Sequence, residues 1–408
     1  MEVFLARQPI FDKNLKVCAY ELLFRSSLDN YFSHPSRDHA SSKVIADSFL
    51  LFDLESLTGG EKAFINVTAD VLLKEFALLL PQKLTVLEIL ENVEPDDAVL
   101  AACRELKKTG YLLALDDFVY EDKYRPFVDL ADYIKVDFLE SDMNRNRDLV
   151  RQFGHKDIKF LAEKVETKEV LDKALSIGYE YFQGFFFSKP VIISNRDVSP
   201  YKLHYLKVLQ EIHKPDMDFV QLETIVKKDV SMSYKLLRYI NSPFFGTRFQ
   251  IHSIQQALML LGEKEIRKWA TLIALATMAD NKPVELVVHA IIRANICEAL
   301  AAKAGKPDQA QDLFLMGMFS LIDAIMDRPL DDILRDVPIA PGLKDALLGK
   351  TNWHRKILDV VLNHEKADWK AFSECCAELN IAEDEFPKIY IDAIKWAQGS
   401  FSNEALGS

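Results

Sequence analysis

Two patterns of apolar and polar positions divide the chain. Over residues 1–190, short apolar runs at 3–6, 17–23, 63–65, 85–87, 112–115, 133–136, 160–162 and 181–182 alternate with stretches of helical period. Such alternation predicts parallel βα units, and eight strands predict a closed barrel. The intervening DDAVLAACRELKKT (96–109) opens after Pro95 and closes before Gly110, and the helical stretch 168–177 stops at Gly178. The strand pattern ends at Pro190. VIISNRDVSP (191–200) reads as a linker, and from 201 to 408 only helical periods remain. There, Ser253 and Gln256 form a capping box opening a helix that Gly262 ends, and a second helix (263–278) carries Ile266, Trp269, Ile273 and Ala276 on one core-facing stripe. The expected fold is an α/β TIM-like barrel (1–190) followed by an all-α domain (201–408).

The polar residues at the strand ends change this picture from architecture to chemistry. The run YLLALDDF (111–118) reads as a buried strand stopping on adjacent carboxylates, Asp116 and Asp117. Two like charges side by side persist most easily with a divalent cation or a basic group between them, although a solvated aspartate turn is the plain alternative. Other strands end in kind, with Glu21, Asn66, Glu88, Lys135, Glu163 and Gln183. Any one of them also reads as a cap or a surface charge. In a parallel barrel, however, the C-terminal strand ends share one mouth, so the whole series converges. Carboxylates with an amide oxygen form a hard-oxygen set suited to Mg²⁺, Mn²⁺ or Ca²⁺, and two such ions could activate water and stabilise a phosphoryl transition state. Lys135 would hold the attacking water or offset developing negative charge.

Composition narrows the class. A chain of 408 residues favours two domains, and 49% hydrophobic with 27% charged residues is ordinary for a soluble globular protein. The net charge of -12 disfavours long nucleic acids, while one local arginine or metal site leaves a small anionic ligand open. The five cysteines form no CxxC pair, and adjacent Cys375 and Cys376 diverge on a helical pattern. With no long apolar run for a membrane, a cytoplasmic location is expected.

The motifs RQPIFD (7–12), YELLFR (20–25), FINVT (64–68), LEILE (87–91), LALDDF (113–118), YIKVD (133–137), AEKVET (162–167) and QGFFFSKP (183–190) resemble, in order, those of EAL domains, the phosphodiesterases of the bacterial messenger cyclic di-GMP. The signature tripeptide is here Glu21-Leu22-Leu23. The resemblance implies a TIM-like barrel with an irregular first strand. It also implies metal ligation by Glu21, Asn66, Glu88, Asp116 and Asp117, with Mg²⁺ or Mn²⁺ as one or two ions. Lys135, Glu163 and Gln183 match the groups around the attacking water. Gln8, Leu23 and Arg25 match nucleotide contacts, and Glu91 matches a glutamate anchoring the loop after DDF. The implied reaction opens cyclic di-GMP to linear pGpG.

Departures from the EAL pattern leave an alternative open. Where the family usually has GTG after DDF, this chain has Val119-Tyr120-Glu121-Asp122, Leu90 replaces a threonine, and the segment between Arg25 and Asn66 is short. A degenerate module that binds cyclic di-GMP or a protein without hydrolysis is therefore the second reading, and a barrel acting on another phosphodiester the third. The helical half resembles the HDOD domain, a relative of HD phosphohydrolases, through SYKLLRYINSPFFG (233–246) and SIQQALMLLG (253–262). An active HD hydrolase needs a His-Asp dipeptide, which this sequence lacks, and Asp323 in GMFSLIDAIM (317–326) has no adjacent histidine. His204, His213, His252, His289, His354 and His364 read as surface or interior histidines, so this half is expected to be a non-catalytic, partner-binding output module.

Overall fold

The computed structural model describes residues 3–26, 54–139, 141–184, 200–214, 216–241, 251–279, 282–337 and 339–401. Cα packing divides the chain into two compact units: Met1–Lys189 with Leu362–Ser373 and Glu383–Lys388, and Pro190–Val361 with Glu374–Ala382 and Ile389–Ser408. Most of the expected linker, along with 242–246 of the longer HDOD-like motif, lies outside the described residues.

The first unit holds eight strands: β1 (Val3–Asp12), β2 (Val17–Ser26), β3 (Lys62–Val67), β4 (Thr85–Ile89), β5 (Leu112–Leu115), β6 (Tyr133–Asp137), β7 (Lys159–Glu163) and β8 (Tyr181–Gln183). They close a barrel in sequence order. Neighbours from β2 to β8 pair in parallel, but β1 is antiparallel to both β2 and β8, so strand–helix alternation fails at one strand, the irregular first strand that the resemblance implies. The cause is local. Asp12 Oδ1 accepts from the backbone N–H groups of Asn14 (2.8 Å) and Lys16 (2.9 Å), Leu15 takes φ +59°, and this tight turn reverses the chain.

Ile10, Ala19, Phe64, Val86, Ala114, Tyr133 and Leu161, from seven strands in turn, form a buried core cluster. Alanines beside Phe64 and Tyr133 accommodate rings that pack edge to face at 5.1 Å. Between strands, the helix Asp97–Lys108 starts where Asp96 accepts from the Val99 N–H, and Lys168–Ile177 starts on Thr167 and ends on Gly178 at φ +110°.

The second unit is helical. Its helices include Pro200–Ile212, Phe219–Lys228, Val230–Ile240, Ile254–Met278, Val284–Lys303 and Ala310–Phe319. The Ser253 side chain caps the N–H of Gln256, and Gly262, at φ +71°, breaks Ile254–Met278 where the sequence placed a helix end. Ile266, Trp269 and Ile273 are buried and Ala276 half-buried. Among the described residues no helix is long and apolar enough to cross a membrane.

His213 is buried in this unit, with Nε2 2.9 Å from Thr271 Oγ1. That hydroxyl donates its own proton to the Arg267 carbonyl, so His213 Nε2–H is the donor. Burial, reinforced by the Arg267 charge, pushes the His213 pKa down to about 3. Between about pH 3 and the ordinary value of 6.5, the unfolded chain therefore binds a proton that the folded chain refuses. Stability is expected to rise with pH across that window by up to ~1.4 kcal/mol per unit from this group, and to stop changing above it. Urea denaturation at stepped pH measures the slope, and His213→Gln, which cannot take up a proton, is expected to reduce it, His364, also pushed down to about 3, keeping its own share.

Candidate active site

The strand ends bring the expected residues together around Lys135. On β6 its side chain is fully buried, yet it ends among four carboxylates: Glu21 Oε2 at 3.4 Å, Asp116 Oδ1 at 3.1 Å, Glu163 Oε1 at 2.8 Å, and Glu88 in closer contact. Burial alone would lower a lysine pKa. The negative charges of Glu163, Glu21, Glu88 and Asp116 reverse that effect and hold Lys135 well above its usual range.

The acidic groups divide their charge unequally. Burial raises Glu88 well above the carboxylate range despite Lys135, whereas for Asp116 the same burial penalty is outweighed by Lys135 and by hydrogen bonds from Glu88 and Lys135, leaving it lowered. Two carboxylates on one ammonium are thus pushed in opposite directions by their surroundings. Glu163 is pushed up to about 8 by burial, with Lys135 opposing. One ammonium does not neutralise this set.

Amides lock the carboxylates in place. Asn66 Nδ2 donates to Glu21 Oε1 at 3.2 Å, while Gln183 Nε2 donates to Glu21 Oε2 at 2.7 Å and to Gln8 Oε1 at 2.9 Å. Gln183 is held by the backbone that follows it: Val165 N–H donates to its carbonyl, and a Cβ on Gly184 would lie 2.2 Å from the Val165 carbonyl oxygen. Only glycine permits that approach, at φ +144°.

Three oxygens in this cage, Asn66 Oδ1, Glu88 Oε2 and Gln183 Oε1, are buried without a hydrogen-bond partner. Bare acceptors among carboxylates suit a hard cation. Oxygens of Glu21, Glu88 and Glu163 lie within 4.8 Å of one another, as do those of Asp116, Asp117 and Glu163, so two adjoining groups share Glu163. Among the described residues no group of this kind lies in the helical unit, where Asp323 and Glu285 with His289 stand apart from one another.

Asp116 and Asp117 part company despite their adjacency. Asp116 N–H is fixed on the Ile89 carbonyl of β4 and Phe118 N–H on the Lys135 carbonyl of β6, with Asp117 between them at φ +40°. Burial and the Asp116 charge raise Asp117, with Lys164 opposing. Lys164 also pairs with buried Asp137, whose other oxygen accepts from the Leu139 N–H. These two residues were not singled out from sequence, although each directly follows a functional position or ends a strand inside a recognised motif.

Leu23 is half-buried two positions beyond Glu21 on β2, and the Arg25 side chain lies outside the described set. Glu91 is exposed and lines a cleft of about 240 Å³ with Asp116, Asp117, Phe118 and Glu121, but it forms no hydrogen bond or ion pair there among the described residues.

Comparison with known proteins agrees with a barrel of this type. The EAL domain model matches residues 38–190, and the HDOD domain model matches residues 201–326. The chain is 36% identical over 404 residues to the uncharacterized protein YuxH of Bacillus subtilis, covering 97% of this chain and 98% of that one. It is 34% identical over 400 residues to the cyclic di-GMP phosphodiesterase CdgJ of Vibrio cholerae, covering 97% and 92%. The chain therefore belongs to the family in which an EAL domain is followed by an HDOD domain. Among solved structures, a calcium and cyclic di-GMP complex of Klebsiella pneumoniae BlrP1 is similar at 23% identity and a TM-score of 0.39, over 47% of this chain and 56% of that one.

Replacing Lys135 by methionine leaves the acidic cage without its internal cation. In chelator the variant is expected to lose about 3–5 kcal/mol of stability, the usual consequence of unpairing buried charges. Added Mg²⁺ should then raise its melting temperature more than it raises that of the parent, which thermal unfolding in EDTA and in Mg²⁺ measures.

Proposed function

We propose that the chain is a metal-dependent cyclic di-GMP phosphodiesterase that opens its substrate to pGpG, with Mg²⁺ or Mn²⁺ held by Glu21, Asn66, Glu88, Asp116 and Asp117. The observation that carries this reading is the pair of adjoining oxygen groups sharing Glu163, with bare acceptors on Asn66, Glu88 and Gln183. CdgJ, similar over almost the whole chain, is a phosphodiesterase of the same messenger. Divalent ions bound there would supply the positive charge that makes water nucleophilic near neutral pH and offsets the phosphoryl charge.

The chain's own residues do the rest. Glu163, its carboxylate 2.8 Å from the Lys135 ammonium, accepts the proton of the attacking water. Lys135 presents a fixed ammonium to the negative charge that develops as water attacks phosphorus and the ester oxygen departs. Gln183 uses its N–H groups to hold Glu21 and Gln8, leaving its carbonyl oxygen facing the cage. Gln8, Leu23 and Arg25 serve the nucleotide, Gln8 through a guanine edge and Arg25 through a phosphate.

The helical unit acts as a protein-binding output module, a role favoured by the lack of a His-Asp dipeptide and of any metal-ligating group among its described residues. A cytoplasmic location suits the five free cysteines. The competing reading, binding without hydrolysis, draws on the missing glycines after Phe118. Against it, the Asp117 oxygen still lies within reach of Asp116 and Glu163.

Purified protein with Mg²⁺ or Mn²⁺ is expected to convert cyclic di-GMP to pGpG, resolved by chromatography. Glu163→Gln should lower kcat by about 10²–10⁴-fold while retaining calorimetric binding of the substrate. Binding by the parent protein without any pGpG would establish the non-hydrolytic reading instead.

A further inference from the structure

Asp117 must hold a left-handed backbone without being glycine. Its φ of +40° is a conformation that side-chain-bearing residues adopt at a cost, and such strain persists only where the surroundings impose it. On the upstream side the imposing contact is plain: Asp116 N–H is fixed on β4. Downstream, Phe118 N–H is fixed on β6, but the chain then turns outward at Val119, which is 62% exposed. Glu91, on the neighbouring turn, lines a cleft with this loop but makes no hydrogen bond or ion pair to it among the described residues.

Four rings pack along the loop instead. Tyr120 packs on Phe153, the last residue of the helix Met143–Phe153, with ring centroids 5.0 Å apart, and on Phe118 at 6.4 Å. Phe118 in turn meets Tyr124 edge-on at 6.2 Å. Phe153 is 2% exposed and belongs to the core, so it provides a fixed anvil. The Tyr120 hydroxyl reaches Asp122 at 3.1 Å, on an exposed edge away from the ring contacts.

We propose that Tyr120 is a positioning residue: its ring, docked on Phe118 and Phe153, closes the loop after the two aspartates and thereby holds the Asp117 carboxylate over the second of two divalent ions. The inference rests on the two-ion site proposed above. Tyr120 acts through Asp117 and touches neither ion nor substrate. The ring carries the effect, and the hydroxyl does not.

The test is calorimetric titration of the metal-free full chain with Mn²⁺ alone, without substrate. The parent protein is expected to take up two ions. Tyr120→Ala should weaken the second by about tenfold, in keeping with the loss of two aromatic contacts, and leave the first unchanged. Tyr120→Phe should behave as the parent. Should Tyr120→Ala fail to fold by circular dichroism, Tyr120→Leu, which keeps apolar bulk without a ring face, carries the same expectation. Two ions bound by Tyr120→Ala with parental affinities would overturn the brace while leaving the two-ion site standing. A Tyr120→Phe variant as weak as Tyr120→Ala would overturn the assignment to the ring. Uptake of a single ion by the parent would overturn the two-ion site and this inference together.

Discussion

A buried ammonium among carboxylates is the constraint around which the barrel mouth is organised. Lys135 cannot leave its place without exposing the charges of Glu21, Glu88, Asp116 and Glu163 to one another. Because these four side chains come from β2, β4, β7 and the end of β5, a single charge fixes the relative heights of most of the barrel. The arrangement remains electrostatically incomplete, with four carboxylates on one ammonium and oxygens of Asn66, Glu88 and Gln183 left bare. That incompleteness is what makes the cage receptive to cations.

The apolar cluster gives this charge a rigid footing. Seven of the strands contribute one residue each to a buried plug of aromatic and aliphatic groups with small alanines between them. A charged cage on a close-packed plug keeps its geometry, since the strands cannot slide without opening voids. At the rim the backbone takes over: Gly184 lets β8 approach Val165, and Asp117 turns where two flanking N–H groups are already committed.

The parts of this design that repeat were legible in the sequence. All eight strands, the helix opening at Asp96, the stop at Gly178, the break at Gly262 and the convergence of strand-end residues follow from periodicity and turn chemistry. What escaped were features set by three-dimensional proximity. Lys164 and Asp137 are 27 positions apart and meet only because adjacent parallel strands end together. Tyr120 reads as a bulky intruder in a loop expected to need glycine, and its ring finds Phe153 only once a helix has folded back. The reversal of β1 hinges on a short turn within one motif, a detail that alternation of strand and helix does not encode.

That reversal has a consequence for how the molecule comes into being. β1 pairs with β2 beside it in sequence and with β8 at the far end of the barrel, and Gln8 meets Gln183 across a separation of 175 residues. During synthesis the hairpin of β1 and β2 is available from the start, but its free edge waits until the last strand emerges. Ring closure and the final fixing of Glu21 by Gln183 are therefore one event. A ribosome that stalls before β8 leaves an open sheet and an unfinished cation cage together, so a chain cut short of β8 carries no complete site.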